Sequence, residues 1–486
     1  MRRLVVNHIV KMRRDIYRKI VEAYKNNTLK KELPKFWAHI ISDEEFMDRR
    51  KFFYEREVIK EKIKFALGLN YKKVKDMELY EITQYLDEIL EGASDLLEKE
   101  NFMEIIEILC AECPGGRYYI TELCRNCLAH PCTSVCTKGG IKIVQNRAQI
   151  DYSECINCGL CASACPYHAI TKLEKPCTLA CYCEVIHINQ KGRMELSSKD
   201  CASCGACYLA CPFGALETSS MMLQVLHRLK REKMIAIYAP AAITQFKRKA
   251  SVEQFIEALK ILGFDEVFEV AIGADMVAEA EALHFLEHGG LMLTSCCPSY
   301  VRLVKQRWPE FAQNISPIPS PMVMLAQKLR KDYPEHKIVF IGPCIAKKKE
   351  AIENSTPDYV LTFEETAIIF EVYGINVPLL KGEKTKEATP YAWGFATTGG
   401  VGEAVRYYVK KHAGDTKANS LKILSANGLK ECDKYLKEIK RGKLEVDILE
   451  GMGCDGGCIA GPGVMVDPIS SKALLMREVA KMKQNG

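Results

Sequence analysis

Cysteine is the residue whose number and spacing could do chemistry here. The 486-residue chain carries 23, and 17 of them fall between Cys110 and Cys211. Cys155-Ile-Asn-Cys158-Gly-Leu-Cys161-Ala-Ser-Ala-Cys165-Pro166 is a C-x2-C-x2-C-x3-C-P run. The same pattern recurs at Cys201, Cys204, Cys207 and Cys211, ahead of Pro212. Three closely spaced thiolates can each hold one iron of a [4Fe–4S] cube, while the fourth reaches a neighbouring cube. Such crowding suits metal thiolates and is too tight for disulfide geometry. The chemistry implied is one-electron transfer through a file of clusters.

After Cys211 only six cysteines remain, and five lie in three short motifs. They are Thr294-Ser-Cys296-Cys297-Pro298, Gly342-Pro343-Cys344-Ile-Ala-Lys347 and Glu450-Gly-Met452-Gly-Cys454-Asp-Gly-Gly-Cys458. Each follows an apolar, strand-like run, so its cysteine falls at a strand's carboxyl end, where α/β sheets open their ligand crevices. Glycines beside Cys454 and Cys458 would let backbone approach a bulky group closely. Taken singly, each motif has a plainer reading: a Cys-Cys-Pro turn fits buried packing, and Lys347 fits a solvated run of three lysines.

The elements that must position these residues divide the chain into three. Residues 1–105 contain no cysteine and read as a helical N-terminal region, with helices predicted over Arg14–Tyr24, Asp43–Leu67 and Met77–Lys99. Residues 106–220 read as a ferredoxin-like, multi-cluster α+β region with too little apolar mass for an ordinary core, so its clusters must help hold it together. Residues 221–486 alternate strand and helix patterns, which predicts an α/β domain with largely parallel sheets in two sheet-containing lobes. Strands are predicted at Met234–Tyr238, Gly290–Thr294, Lys337–Ile341 and Leu421–Leu424, and helices at Val252–Leu262 and Met276–Glu287. A net charge of +6 gives no reason to expect nucleic acid, although a basic patch could steer an acidic protein partner. The first residues lack a signal-peptide pattern, and no run is long and apolar enough for a membrane span, so a reducing cytoplasm is expected. Gly399-Gly400-Val-Gly402 lacks a nucleotide fingerprint's spacing and reads as a helix-entry loop.

A third set, Cys124-x2-Cys127-x4-Cys132-x3-Cys136, resembles the insertion-bearing motif of multi-cluster ferredoxin-like subunits. On that pairing one cube would use Cys124, Cys127, Cys132 and Cys165, and another Cys155, Cys158, Cys161 and Cys136. Cys177-x3-Cys181 reads as a remnant motif whose Cys181 would complete the cube of Cys201, Cys204 and Cys207. A fourth cube could draw on Cys211, Cys177 and two of Cys110, Cys113 and Cys183, the last of which could equally be a free buried thiol.

Taken together and in order, the three C-terminal segments resemble the signature segments of the [FeFe]-hydrogenase active-site domain. The resemblance covers roughly residues 120–486. It implies that Cys297, Cys344, Cys454 and Cys458 hold one [4Fe–4S] cube, with Cys458 bridging to a diiron subsite bearing CO, cyanide and azadithiolate. It makes Cys296 the proton-shuttling thiol, Lys347 a hydrogen-bond donor to a cyanide, and Met452 a thioether beside the diiron unit. An onward proton path would run through Glu281, Ser316 and His284, the histidine standing where the family has glutamate. Further departures at Gly342, Ser299-Tyr300, Ala241 and Pro462-Gly463-Val464 resemble the group B branch. The activity implied is reversible oxidation of H2 and reduction of protons, with ferredoxin as electron partner and dedicated maturation proteins supplying the diiron unit. The alternatives from other classes are a hydrogen or redox sensor and an iron–sulfur assembly protein of hydrogenase-like fold.

Overall fold

The structure is a computed structural model that describes residues 7–40, 49–100, 102–189, 193–197, 200–246, 249–383 and 388–485. Two parallel sheets position the site. The first has four strands in the order Glu266–Glu269, Met234–Tyr238, Lys337–Gly342, Tyr359–Thr362. The second has three, in the order Met292–Leu293, Ile448–Met452, Ile423–Asn427. Every pairing within both sheets is parallel. Met234–Tyr238 is buried along its whole length, as a strand covered on both faces must be.

The helices between the strands follow from local sequence. Val252–Leu262 forms as predicted and is started by a capping box between Ser251 and Gln254. The predicted Met276–Glu287 helix extends to Val270–His288 and ends at Gly289, whose φ is +62°. The helical stretch Gly400–Ser420, kinked at Gly414 (φ +82°), begins directly after Gly399, in keeping with the helix-entry reading of that loop. The predicted strand at Leu421–Leu424 lies further along, at Ile423–Asn427, because the helix runs to Ser420.

In the N-terminal region, His8–Lys25 is a helix whose first turn is capped by the Asn7 side chain accepting from the Val10 amide at 3.0 Å. Its buried face, Ile16, Tyr17, Ile20, Val21 and Tyr24, follows helical periodicity. That face joins one continuous apolar cluster with the four-stranded sheet, from Ile16 through Ile237 to Leu475. Arg13 donates to Glu364 at 2.7 and 2.9 Å, and Arg14 reaches the other oxygen at 2.7 Å. The predicted Asp43–Leu67 helix is present from Arg49 to Ala66, its first residues lying outside the described residues. The predicted Met77–Lys99 helix is present only in its first half, over Leu79–Leu90, and does not continue to Lys99. Its middle tightens to 3-10 geometry at Thr83–Tyr85, and it ends at Leu90, just before Gly92, which has φ +70°.

The cysteine-rich region is built from two-stranded antiparallel pairs and helices of four or five residues. Arg117–Ile120 pairs with Ile170–Leu173, Ile141–Val144 with Arg147–Ile150, and Ile186–Ile188 with Met194–Leu196. Met103–Ile105 pairs with Leu216–Thr218, which closes the region onto itself. Its apolar clusters contain the cysteines themselves, including Cys110, Cys177 and Cys207 in one and Cys132 and Cys161 in another.

Lys348, on the helix Ala346–Glu353, is fully buried and pairs with buried Glu365 at 3.2 Å, donating also to the Ser219 carbonyl at 2.8 Å. Breaking a buried pair from one side strands the other charge. Lys348→Met is therefore expected to cost about 3–5 kcal/mol of stability, read as a lower denaturation midpoint.

Candidate active site and cluster ligands

The three C-terminal motifs sit at the carboxyl ends of three strands. Met292–Leu293 leads to Cys296 and Cys297, Lys337–Gly342 to Cys344, and Ile448–Met452 to Cys454 and Cys458. Two different sheets thus deliver thiols to one place. Backbone contact makes the convergence possible: the Gly463 amide donates to the Pro343 carbonyl at 2.8 Å, and a Cβ on Gly461 would lie 2.4 Å from that oxygen. A Cβ on Gly453 would stand 3.3 Å from the Cys297 sulfur, and its amide donates to that sulfur at 3.2 Å. Gly457 (φ +85°) is pressed against the backbone of Thr397. Gly457 and Gly461 therefore serve backbone-to-backbone packing, while Gly453 is the glycine that faces a thiol.

Cys297, Cys344, Cys454 and Cys458 lie within electrostatic reach of one another. Burial pushes the Cys344 thiol up to about 11 and Cys458 to about 12, and raises Cys454 well above the ordinary range. Only a strong cation would hold such thiols as thiolates, and iron deprotonates its ligands outright. Among the described residues, no three His, Cys, Asp or Glu side chains could hold a single metal ion. In a cube each thiolate takes a different iron. The donor set, the amide aimed at Cys297 and the lack of room for a Cβ at Gly453 fit a cubane.

Cys296 is buried, and burial raises its thiol well above the ordinary range, with Cys297, Glu281, Glu450 and Cys458 adding to the effect. Lys347 is also buried, unlike a lysine in a solvated run. It donates to Glu350 at 2.6 Å, to Ser320 at 3.0 Å and to the Cys296 carbonyl at 3.3 Å. Burial works against its charge, but Glu350, Cys344 and Cys458 outweigh it and the pKa rises. Met452 is buried at the end of its strand, and the Cys432 thiol donates to its carbonyl at 3.7 Å. Cys432, the sixth C-terminal cysteine, lies on the helix Leu429–Lys440 near Cys297.

Glu281 is fully buried on the helix Val270–His288. Its Oε1 accepts from the Ser295 amide and hydroxyl, both at 3.3 Å, while Oε2 has no hydrogen-bond partner among the described residues. Burial lifts its pKa to about 7, and the nearby Ser316 and Ser295 pull it back only in part. His284, one turn on, is half-buried and stacks on exposed His288 with ring centroids 4.4 Å apart. Glu281, Ser316 and Cys296 therefore meet at one buried spot, and His284 and His288 continue toward the surface.

Sequence reasoning missed Ser295, His288 and above all Glu450, quoted as part of a motif but given no role. Glu450 is fully buried, accepts from the Gly399 and Gly402 amides at 2.8 and 3.0 Å and from Ser425 at 3.0 Å, and its pKa is raised by burial. A cavity of about 330 Å³ is lined by these same partners, Gly399, Gly402 and Ser425, and by none of the cysteines.

The residues that depart from the family pattern are packed to suit. A Cβ on Gly342 would collide with the Phe340 ring, which fills the space a larger side chain would need. Tyr300 lies over Gly451, its hydroxyl buried without a partner among the described residues. Ala241 is fully buried.

Upstream, Cys136, Cys155, Cys158 and Cys161 line one small cavity. Cys132 has Cys124 and Cys127 as neighbours, and Cys165 packs on the same apolar cluster. Cys181, Cys183, Cys201, Cys204 and Cys207 line another, and Cys204 lies within electrostatic reach of Cys454. Cys177 has Cys110, Cys113 and Cys211 around it.

Sulfur sets of this kind, leading to a half-buried set fed by two sheets, define an iron–sulfur redox protein. Residues 232–462 match the family described as the iron-only hydrogenase large subunit, C-terminal domain, and residues 148–171 and 195–217 match the 4Fe-4S binding domain. The C-terminal part of the chain, residues 232–462, is thus similar to the iron-only hydrogenase large subunit. It is 27% identical to the periplasmic [Fe] hydrogenase large subunit of Nitratidesulfovibrio vulgaris over 66% of this chain and 86% of that one. Iron hydrogenase 1 of Clostridium pasteurianum is 30% identical over 42% of this chain, and the match spans 44% of that protein's length. The nuclear prelamin A recognition factor of Homo sapiens is 25% identical over 51% of this chain and 68% of that one. Among the described residues, no helix is long and apolar enough to cross a membrane.

Proposed function

We propose that this chain is an [FeFe]-hydrogenase that interconverts protons and dihydrogen, with electrons relayed through its [4Fe–4S] clusters. The observation that carries the reading is the meeting of Cys296, Glu281 and Ser316 beside the four half-buried thiols. A plain electron carrier has no use for a buried thiol and a buried carboxyl of raised pKa at its last cluster.

Cys297, Cys344, Cys454 and Cys458 would hold the cube, and Cys458 the bridge to a diiron subsite with CO, cyanide and azadithiolate. When bound, that group supplies the metal centre at which dihydrogen is cleaved or formed. The chain's own residues handle the proton. Burial keeps Cys296 protonated and therefore able to give a proton inward. Glu281 takes or supplies the next proton near neutral pH, Ser316 bridges, and His284 passes it outward. Lys347, ordered by Glu350 and Ser320, places a buried positive charge beside Cys344 and Cys458, where an anionic cofactor needs one. Met452 packs alongside.

Electrons would enter at the outer cubes. Cys158 is exposed there, flanked by exposed Ile156 and Leu160, a surface suited to a ferredoxin or similar small redox protein. We place the chain in the cytoplasm on its many free thiols, and in the group B branch on Gly342, Tyr300 and Ala241. The retained Cys296, Lys347 and Met452 weigh against the sensor and the assembly readings.

Protein produced together with the hydrogenase maturation enzymes is expected to show CO and cyanide infrared bands and to evolve H2 from reduced viologen. Bands without turnover would favour the sensor. Their absence after confirmed maturation would overturn the reading in favour of assembly or electron transfer.

A further inference from the structure

We propose that Cys110, Cys113, Cys177 and Cys211 hold a fourth accessory [4Fe–4S] cube, with buried Lys175 as its compensating cation and the Arg117–Ile120/Ile170–Leu173 pair as its link to the outer clusters.

The four cysteines come from three separate stretches of chain. Cys110 lies on the helix Glu107–Ala111, with Cys113 just beyond it. Cys177 lies on Pro176–Ala180, which packs against Ala206–Ala210, and Cys211 caps the end of that second helix. Cys177 is within electrostatic reach of the other three. Backbone amides already point at two of the sulfurs: Met194 donates to Cys110 at 3.3 Å and Ala215 to Cys211 at 3.4 Å. Amide donors of this kind tune the sulfurs of a cluster. Cys183, the other candidate, has Cys181, Cys201 and Cys204 as its neighbours and belongs to the next cube's surroundings.

Lys175 supplies an independent observation. It is 1% exposed, and its Nζ donates to the Cys113 carbonyl at 2.9 Å and the Cys110 carbonyl at 3.4 Å. Among the described residues no carboxylate pairs with it. A buried ammonium held only by carbonyls is costly unless a negative charge lies nearby. A cube bearing four thiolates is an anion in each of its usual oxidation states, and Lys175 already lies within electrostatic reach of Cys177. Lysines recur in this role: Lys349 acts on Cys201 of the next cube, and Lys347 on Cys344 and Cys458.

The topology gives the cube its place in the relay. Arg117–Ile120 leaves Cys113 toward Cys124, and its partner strand Ile170–Leu173 returns from Cys165 toward Cys177. One ladder thus joins the outer clusters to this cube, and the packed helices join it to the cube of Cys181, Cys201, Cys204 and Cys207. One electron from a low-potential donor would pass through it inward, with no bond made or broken.

The test uses the full chain, purified anaerobically without the maturation enzymes, so that all iron is in cubes. Cys113→Ala/Cys177→Ala is expected to lose four irons and four sulfides per chain and one reduced-cluster paramagnetic signal, while Cys183→Ala loses none. Unchanged iron in the double variant, or a four-iron loss in Cys183→Ala, would overturn the assignment. Should the double variant not fold, the unaltered chain decides: five cubes give about twenty irons and four give about sixteen. Lys175→Met should keep its iron and shift one cluster to lower potential, and unmoved potentials would remove the lysine's role. These readouts are independent of H2 turnover, so this assignment and the proposed function can fail separately.

Discussion

Cys296→Ala is expected to lower H2 turnover in both directions by about 10²- to 10⁴-fold, the usual worth of a positioned proton donor or acceptor, while the CO and cyanide bands stay. The separation of effects follows from where Cys296 sits. Its neighbour Cys297 is a proposed cube ligand, whereas Cys296 also lies among Glu281, Glu450 and Cys458. A low-dielectric site holds its thiol neutral, which suits the proposed role of proton carrier rather than ligand. Lys347 contacts the loop through the Cys296 carbonyl, which alanine retains, so the backbone path and the Lys347–Glu350 pair should survive. Turnover in reduced viologen and the infrared spectrum are measured on the same sample. Unchanged turnover would take the proton role from Cys296, and lost bands would make its role structural.

How much of this could be read from the chain depended on how far apart the partners lie. The three C-terminal loops were legible because strand and cysteine are adjacent: Lys337–Gly342 runs straight into Pro343-Cys344, and Ile448–Met452 into Cys454. The parallel sheets followed from the same alternation. Lys347 and Lys348 look like part of a solvated basic run, and only the fold places Glu350 and Glu365 against them. Cys110, Cys113 and Cys183 were interchangeable on spacing as partners of Cys177 and Cys211. Lys175, more than sixty positions from the carbonyls it bonds, carries no local pattern that marks it as buried. Glu450 was hidden for a related reason. Its partners are amides at the entry to a helix about fifty residues upstream, and backbone donors leave no compositional trace. Helix Met77–Lys99 was half legible: its apolar spacing gives the helical run Leu79–Leu90, and the chain leaves the helix before Gly92, which has positive φ.

Glu281→Gln is expected to lower turnover by about 10²-fold or more and at the same time to stabilise the protein at alkaline pH. Both effects come from one carboxyl, buried without a charge partner and lifted to about 7. At that value it gives and takes protons with little bias at neutral pH, which is what a relay needs. H2 evolution, which needs the protonated acid, should fall as pH rises past about 7, and H2 uptake, which needs the carboxylate, should fall below it. Glutamine does neither, so the variant should lose the inflection along with the rate, and Glu281→Asp should restore part of both. The stability effect has the opposite sign. A carboxyl raised from 4.5 to about 7 contributes stability that is fully present below the unfolded value and is lost as pH climbs through the folded one. The loss is on the order of 3 kcal/mol. Glutamine keeps the shape without the buried charge, so its denaturation midpoint should match the unaltered protein's at pH near 4.5 and exceed it above pH near 7. Equal midpoints across that range would mean that Glu281 is not held as a raised carboxyl. A pH–rate inflection that survives in the glutamine variant would assign the relay step to another group, with Glu450, buried near the same thiol, the first to replace.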